Sequence, residues 1–185
     1  MNKVTLTGEL GELAYNHELY GKHYYKGTVA VPRDSGTVDY IPLIFSEHLK
    51  ESKGHICITG QIRSFNENGK TKLFVAVKDV LGPVGEGNNL FLDGFVCKPV
   101  VYRTTPLGRE IAEVLLAVNF EGKSAYIPCI LWGRNARMAA NFEIGTHVMF
   151  WGRLQSRPYI KKISETDIEK RITYEVSVSD FRRYE

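Results

Sequence analysis

The tripeptide Tyr-Ile-Pro occurs twice, at Tyr40-Ile41-Pro42 and at Tyr126-Ile127-Pro128, and each copy opens a similar frame. Two apolar residues follow, then a polar segment, a Gly, and a β-branched run ending in a second Gly: Leu43-Ile44 to Gly54 to Gly60, and Cys129-Ile130 to Gly145 to Gly152. The match extends outward. Val4-Thr5-Leu6-Thr7-Gly8 corresponds to Leu90-Phe91-Leu92-Asp93-Gly94, Thr28-Val29-Ala30-Val31 to Leu115-Leu116-Ala117-Val118, and Val77-Lys78-Asp79-Val80 to Val178-Ser179-Asp180-Phe181. An internal duplication of this kind restricts the chain to a unit that can be used twice, and a solenoid would need at least three shorter ones. Each half is large enough for a small core of its own. We therefore expect domains at 1–82 and 90–185, joined by the turn-rich segment 83–89. Offsets of 86 residues (40 to 126) and 101 residues (77 to 178) place an insertion between the last two strands of the second unit.

Within each unit the hydrophobic signal has period two. Ile41, Leu43 and Phe45, like Ile127, Cys129 and Leu131, alternate with an outward set, as in strands that cover a core on one face. Further strands are expected at Val4 to Leu10, Tyr24 to Val31, Ile56 to Ser64 and Leu73 to Val80, with equivalents at Leu90 to Cys97, Ile111 to Asn119, Val148 to Arg157 and Ile172 to Phe181. One short helix is expected per unit, around Ser46 to Ser52 and Asn135 to Phe142, each before a Gly suited to a helix end. Five strands with a helix between the third and fourth is the order of an OB-fold, so the expected class is all-β, with two tandem OB-folds.

The chain carries 43% hydrophobic and 24% charged residues, with no apolar run long enough to span a membrane and no secretory leader, so a cytoplasmic, globular protein is expected. Cys57, Cys97 and Cys129 are odd in number and far apart, as reduced core residues are. The first 88 residues balance ten Lys/Arg against ten Asp/Glu, which leaves the net charge of +3 to the second unit.

The outward set of the second unit's third strand is Tyr126, Pro128, Ile130 and Trp132, where a solvated strand would carry charges or hydroxyls. The next strand places Arg153, Gln155, Arg157 and Tyr159 together. Arginines among aromatics suit single-stranded nucleic acid, because rings stack on bases and guanidinium groups meet phosphates. The same pattern leaves open that Trp132 and Tyr126 pack under a loop or across a subunit interface. Trp151, between Phe150 and Gly152, turns either way according to whether a bulge occurs there, and is assigned to packing. His17, His23, His48, His55 and His147 lack metal-type spacing, and no catalytic constellation is recognised, so neither an enzyme nor a cofactor nor a metal is expected.

The run from Ala125 to Ala136, followed by Gly152-Arg153-Leu154-Gln155-Ser156-Arg157-Pro158-Tyr159, resembles the bacterial single-stranded DNA-binding protein family. Leu116-Ala117-Val118-Asn119 and Thr105-Pro106-Leu107-Gly108 are similar to further family segments. The resemblance implies non-sequence-specific binding of single-stranded DNA in replication, recombination or repair. It also implies that Tyr126, Trp132 and Tyr159 stack on bases and that Arg153 and Arg157 contact the strand. Phe120 lies near another aromatic position of the family, and Lys161 and Lys162, beside Tyr159 in the inserted hairpin, would extend the path. The first unit fits in outline only: Ser46 stands where Trp132 stands, and Phe65 where Arg157 does. It is either a weaker site using Tyr40, Arg63 and Phe65 or a unit kept to complete the assembly. Family members commonly work as four OB-folds, which implies a homodimer here. The sequence stops after Asp180-Phe181-Arg182-Arg183-Tyr184-Glu185, without the acidic tip that many members use to recruit replication proteins, so a specialised or accessory protein of a phage or mobile element is expected as much as a general replication factor that recruits replication or recombination proteins. The alternative is an OB-type primosomal interaction module that binds DNA weakly.

Overall fold

The computed structural model describes residues 1–185 except 84, 86, 163–167 and 185, and the side chains of 160–162 also lie outside the described residues. The first unit contains β1 (Asn2–Leu10), β2 (Ala14–Leu19), β3 (Lys22–Pro32), β4 (Val38–Ser46), β5 (Gly54–Glu67) and β6 (Lys70–Val80). The second contains β7 (Asn88–Val96), β8 (Val101–Thr104), β9 (Glu110–Phe120), β10 (Lys123–Trp132), α1 (Gly133–Ala139), β11 (His147–Lys162) and β12 (Ile168–Arg183). They form one sheet in the order β2-β3-β4-β6-β5-β1-β7-β11-β12-β10-β9-β8, and added β1–β3 and β7–β9 pairings close each half into a five-stranded barrel. The fold is thus the expected pair of tandem OB-folds. Strands β2 and β8 each sit outside their barrel; they are exposed along their whole length and carry no buried apolar face that would mark them in the sequence.

The period-two residues Ile41, Leu43, Phe45, Ile127, Cys129 and Leu131 are all buried. Cys57 and Cys129 are buried and Cys97 half-buried, all as free thiols, and burial pushes the Cys129 thiol above its ordinary range. Equivalent glycines sit where strands cross closely. A Cβ on Gly8 or Gly94 would lie 2.1 Å from the Ala30 carbonyl oxygen or 2.5 Å from that of Ala117, and one on Gly60 or Gly152 would strike Ala76 or Ser177. The expected first helix is corrected to a single 3₁₀ turn, Glu47–Leu49, with no side-chain cap, since so short a segment offers too few backbone bonds to nucleate an α-helix. The second is an α-helix that begins two residues earlier than expected and buries Ala136 and Ala139. The added spacing of the second unit lies in β11 and β12, 16 residues each.

The halves join through antiparallel pairing of β1 with β7, in which Val4 faces Leu90, its own counterpart in the repeat. Equivalent residues facing each other define a local two-fold axis, the geometry of an isologous dimer interface written into one chain. Beside it, the Asn2 amide donates to the Ile62 carbonyl (2.7 Å) and its oxygen accepts from the Ile62 N–H (2.9 Å), and Asn88 does the same to Leu154 at 2.5 and 2.9 Å. Each side chain thereby prolongs a strand ladder. The connecting segment is tied to the first unit, with the Thr7 N–H donating to Gly87 and the Cys57 N–H to Gly82.

A second tie is charged. Asp39 is fully buried and accepts from Arg33 (2.6 and 2.5 Å) and from the N–H and hydroxyl of Ser156 in the other half (both 2.7 Å). Arg33 also donates to the Ser156 carbonyl. Burial pushes the Asp39 carboxyl up, but the bonds from Arg33 and Ser156 outweigh it and leave it below the usual range. A lowered carboxyl contributes stability that is complete above its unfolded value of about 4 and is lost as pH falls through the folded value. Replacing Asp39 by Ala strands Arg33 and should cost about 3–5 kcal/mol in urea unfolding at pH 7. The gap to the unmodified chain should close in acid, and a cost independent of pH would contradict this role.

Candidate nucleic-acid interface

Because equivalent parts meet about the local two-fold, the start of β4 reaches β11, and the start of β10 reaches β5. The Ser156 bonds to Asp39 mark the first junction, and the Tyr126 N–H donating to the Ser64 hydroxyl (2.7 Å) marks the second. The repeat makes Arg33 and Phe120 counterparts, and likewise Asp39 and Ala125. The second junction therefore has Ala125 where the first has the buried Asp39. Instead the Arg63 guanidinium lies 3.2 Å from the Phe120 ring centroid, a cation–π contact. Burial pulls the Arg63 guanidinium down from its ordinary range.

The first junction is open. A groove of about 860 Å³ is lined by Arg33, Val38 and Tyr40 of the first unit and by Arg109, Trp132, Arg153, Arg157 and Glu175 of the second. Its cations differ in how they are held. Arg33 is fixed by Asp39, whose hydrogen bonds push the guanidinium above its ordinary range. Arg157 is fixed by the buried Glu175, with three bonds of 3.2 Å. Among the described residues, Arg109 and Arg153 have no carboxylate partner. Tyr40 is 59% exposed and Trp132 37% exposed, so both rings present area to a ligand. The Tyr174 hydroxyl donates to the Tyr40 carbonyl (2.8 Å), and burial together with the nearby Asp39 charge pushes that phenol up, which keeps its proton in place.

Of the residues singled out from sequence, Trp132, Arg153, Arg157 and Tyr40 share this groove. Tyr159 lies farther along, in a depression with Lys70, Lys72 and Ile172. Phe65 stands in a separate groove on the first unit. Tyr126 is exposed but belongs to the other junction, six residues from Trp132 on β10, hence about 20 Å away. Arg63 and Phe120 face each other. The side chains of Lys161 and Lys162 lie outside the described residues. Two expected outward positions are corrected: Ile130 is buried where β10 pairs in parallel with β12, and Gln155 is buried with its amide donating to Glu175 (3.1 Å).

Sequence reasoning missed Arg33 and Arg109. Arg109 directly follows the Pro-Leu-Gly turn, a signal that was available; Arg33 needed the junction. Trp151, assigned to packing, points outward and is 37% exposed, with its ring tilted by 49° against Phe91 at 5.1 Å. The register shift there puts the extra residue on β12, so β11 alternates without interruption.

The sequence profile of the single-strand binding protein family matches residues 87–184. A curated relative, "Single-stranded DNA-binding protein 2" of Listeria innocua serovar 6a, is 35% identical over 80 residues, which are 39% of this chain and 50% of the relative. The chain therefore spans about half the length of that relative. The wild-type single-stranded DNA binding protein of Thermus aquaticus superposes with a TM-score of 0.78 over 100% of this chain and 93% of that one, at 20% identity. A deletion mutant of the same protein gives 0.76, covering 100% and 94%, also at 20% identity. Likeness at that identity concerns the fold.

The Arg63–Phe120 contact can be measured directly. A double-mutant cycle with Arg63→Ala and Phe120→Leu, read by urea unfolding, should return a coupling of about 0.5–2 kcal/mol. Strictly additive losses would show that the ring and the cation do not act on each other.

Proposed function

The chain belongs to the single-strand binding protein family, and we propose that it binds single-stranded DNA without sequence preference in the groove between its two units, in the service of replication, recombination or repair. The observation that supports this best is the convergence of Trp132 and Tyr40 with Arg33, Arg109, Arg153 and Arg157 along one open groove. Every base has a π-face, so stacking on Trp132 tolerates any sequence and contributes about 1–3 kcal/mol per base. Arg33 and Arg157, held in place by buried carboxylates, lose little freedom on meeting phosphate, while Arg109 and Arg153, without a carboxylate partner among the described residues, supply charge. Tyr159 continues the stacking surface. Tyr126 would meet DNA only where the strand wraps to the second junction. Arg63 and Phe120 act chiefly on each other. The proposed domains, 1–82 and 90–185 with 83–89 between them, work as one body, since β1–β7 and Asp39 tie them together.

A homodimer fits the outer face of the shared sheet, where Phe91, Trp151 and Phe95 stand with His147, itself stacked between Phe95 (4.5 Å) and Tyr184 (4.1 Å). Light scattering of the 21.0 kDa chain should give about twice that mass. Trp151→Glu should return it to the monomer, and an unchanged dimer in that variant would move the interface elsewhere.

Tryptophan fluorescence tests the DNA reading. Oligo-dT should quench it, Trp132→Ala should weaken binding by about 10- to 100-fold, and Ser46→Ala should leave it unchanged. Affinity should fall steeply with added salt as phosphates are neutralised. Equal effects of the two substitutions would refute the assignment to Trp132.

A further inference from the structure

The twelve-stranded sheet ends in β2 on one side and β8 on the other. The two strands are counterparts in the repeat, each the outer strand of a hairpin, and neither has a second strand neighbour among the described residues. An edge of this kind carries a row of N–H and C=O groups able to pair with a further strand. Both edges also leave apolar area exposed: Tyr15 and Leu19 on β2, Val101 and Tyr102 on β8.

Their charges are opposite. From Gly11 to Gly21 the chain holds Glu12 and Glu18 and no Lys or Arg; from Cys97 to Arg109 it holds Lys98, Arg103 and Arg109 and no Asp or Glu. The strand one place inward carries the reverse sign in each case. Lys26 and Lys22 of β3 face Ala14 and Leu19 of β2, and Glu113 and Glu110 of β9 face Val101 and Thr104 of β8. Glu18 lies 3.5 Å from His23 and Arg103 2.6 Å from Glu113, and both Glu18 and Arg103 remain exposed.

We propose that β2 of one copy of this chain pairs with β8 of a second copy, so that the sheet continues from molecule to molecule. In that contact the strands β3, β2, β8 and β9 alternate basic, acidic, basic and acidic, and opposite charges on neighbouring strands attract. Pairing β2 with β2, or β8 with β8, sets like charges side by side, which keeps each edge from joining its own kind. The pattern therefore selects a heterologous, head-to-tail contact, which builds an open chain unless its rotation closes a ring. The spacing agrees. Lys98 and Arg103 are five residues apart (98 to 103) and Glu12 and Glu18 six (12 to 18), and the extra residue, Asn16, is left out of the register at the β2 irregularity between Tyr15 and His17. One alignment thus serves both acid–base pairs. The contact lies at the ends of the sheet, apart from the aromatic face around Trp151.

Strand β8 is four residues long, so the contact is small and association should set in at about 0.1–1 mM. Sedimentation velocity of the full chain should show a mass that climbs past the dimer over that range and falls back with added salt. Glu12→Lys with Glu18→Lys, and separately Lys98→Glu with Arg103→Glu, should each stop the climb. An equimolar mixture of the two variants should restore it, since each then meets an edge of opposite sign. A carbodiimide, which joins only a carboxylate and an amine already in contact, should link Lys98 to Glu12 or Glu18 between isotope-labelled and unlabelled copies. A mass that stays constant up to about 1 mM, with no such link, would overturn the proposal. So would variants that keep the urea transition of the unmodified chain and still associate as it does, or whose mixture fails to associate. Where a variant does not fold, the link in the unmodified chain decides alone, its presence upholding the contact and its absence refuting it.

Discussion

Everything about this chain follows from β1 lying antiparallel to β7 with Val4 facing Leu90. A barrel made from one copy of the repeat leaves the outer edge of its first strand with unpaired backbone groups, a standing invitation to pair with another chain. Placing the second copy on that edge satisfies those groups internally. It also dictates every other meeting of the halves, because a two-fold relation brings β4 to β11 wherever it brings β10 to β5. The groove at the first junction arises from this arrangement, since neither unit alone supplies Tyr40, Arg33, Trp132 and Arg153.

The two-fold relation is local to the backbone, and the side chains have diverged about it. At one junction a buried aspartate holds an arginine and a serine from the opposite half. At the other its counterpart is Ala125, and an arginine settles on a phenylalanine. Both are ways of burying a guanidinium. The first leaves room beside it for a ligand, whereas the second places Arg63 against a ring. The same divergence continues on the faces, with Arg157–Glu175 in one unit and Phe65–Phe74 in the other. Duplication supplied two equivalent surfaces, and substitution made them chemically different.

Much of this was legible before any coordinates. The repeated Tyr-Ile-Pro frame and its spaced glycines carried the strand order, because a glycine that cannot accept a Cβ, such as Gly152 against Ser177, recurs wherever the barrel is closed the same way. Trp132, Arg153 and Arg157 were readable from period-two alternation, which depends only on the strand that carries them. What eluded sequence reading depends on partners far along the chain. Asp39 looks like a surface charge until Ser156, 117 residues later, is placed over it. Arg63 and Phe120 look available until they meet. Strands β2 and β8 bury no side chain, so no alternation announces them.

The central claim is that the DNA site is shared between the units, and hydrogen–deuterium exchange of the full chain with and without saturating oligo-dT tests it most directly. Exchange should slow together in 33–40 of the first unit and in 132–134 and 153–159 of the second. Slowing confined to the second unit, with 33–40 unchanged, would contradict a groove built at the junction.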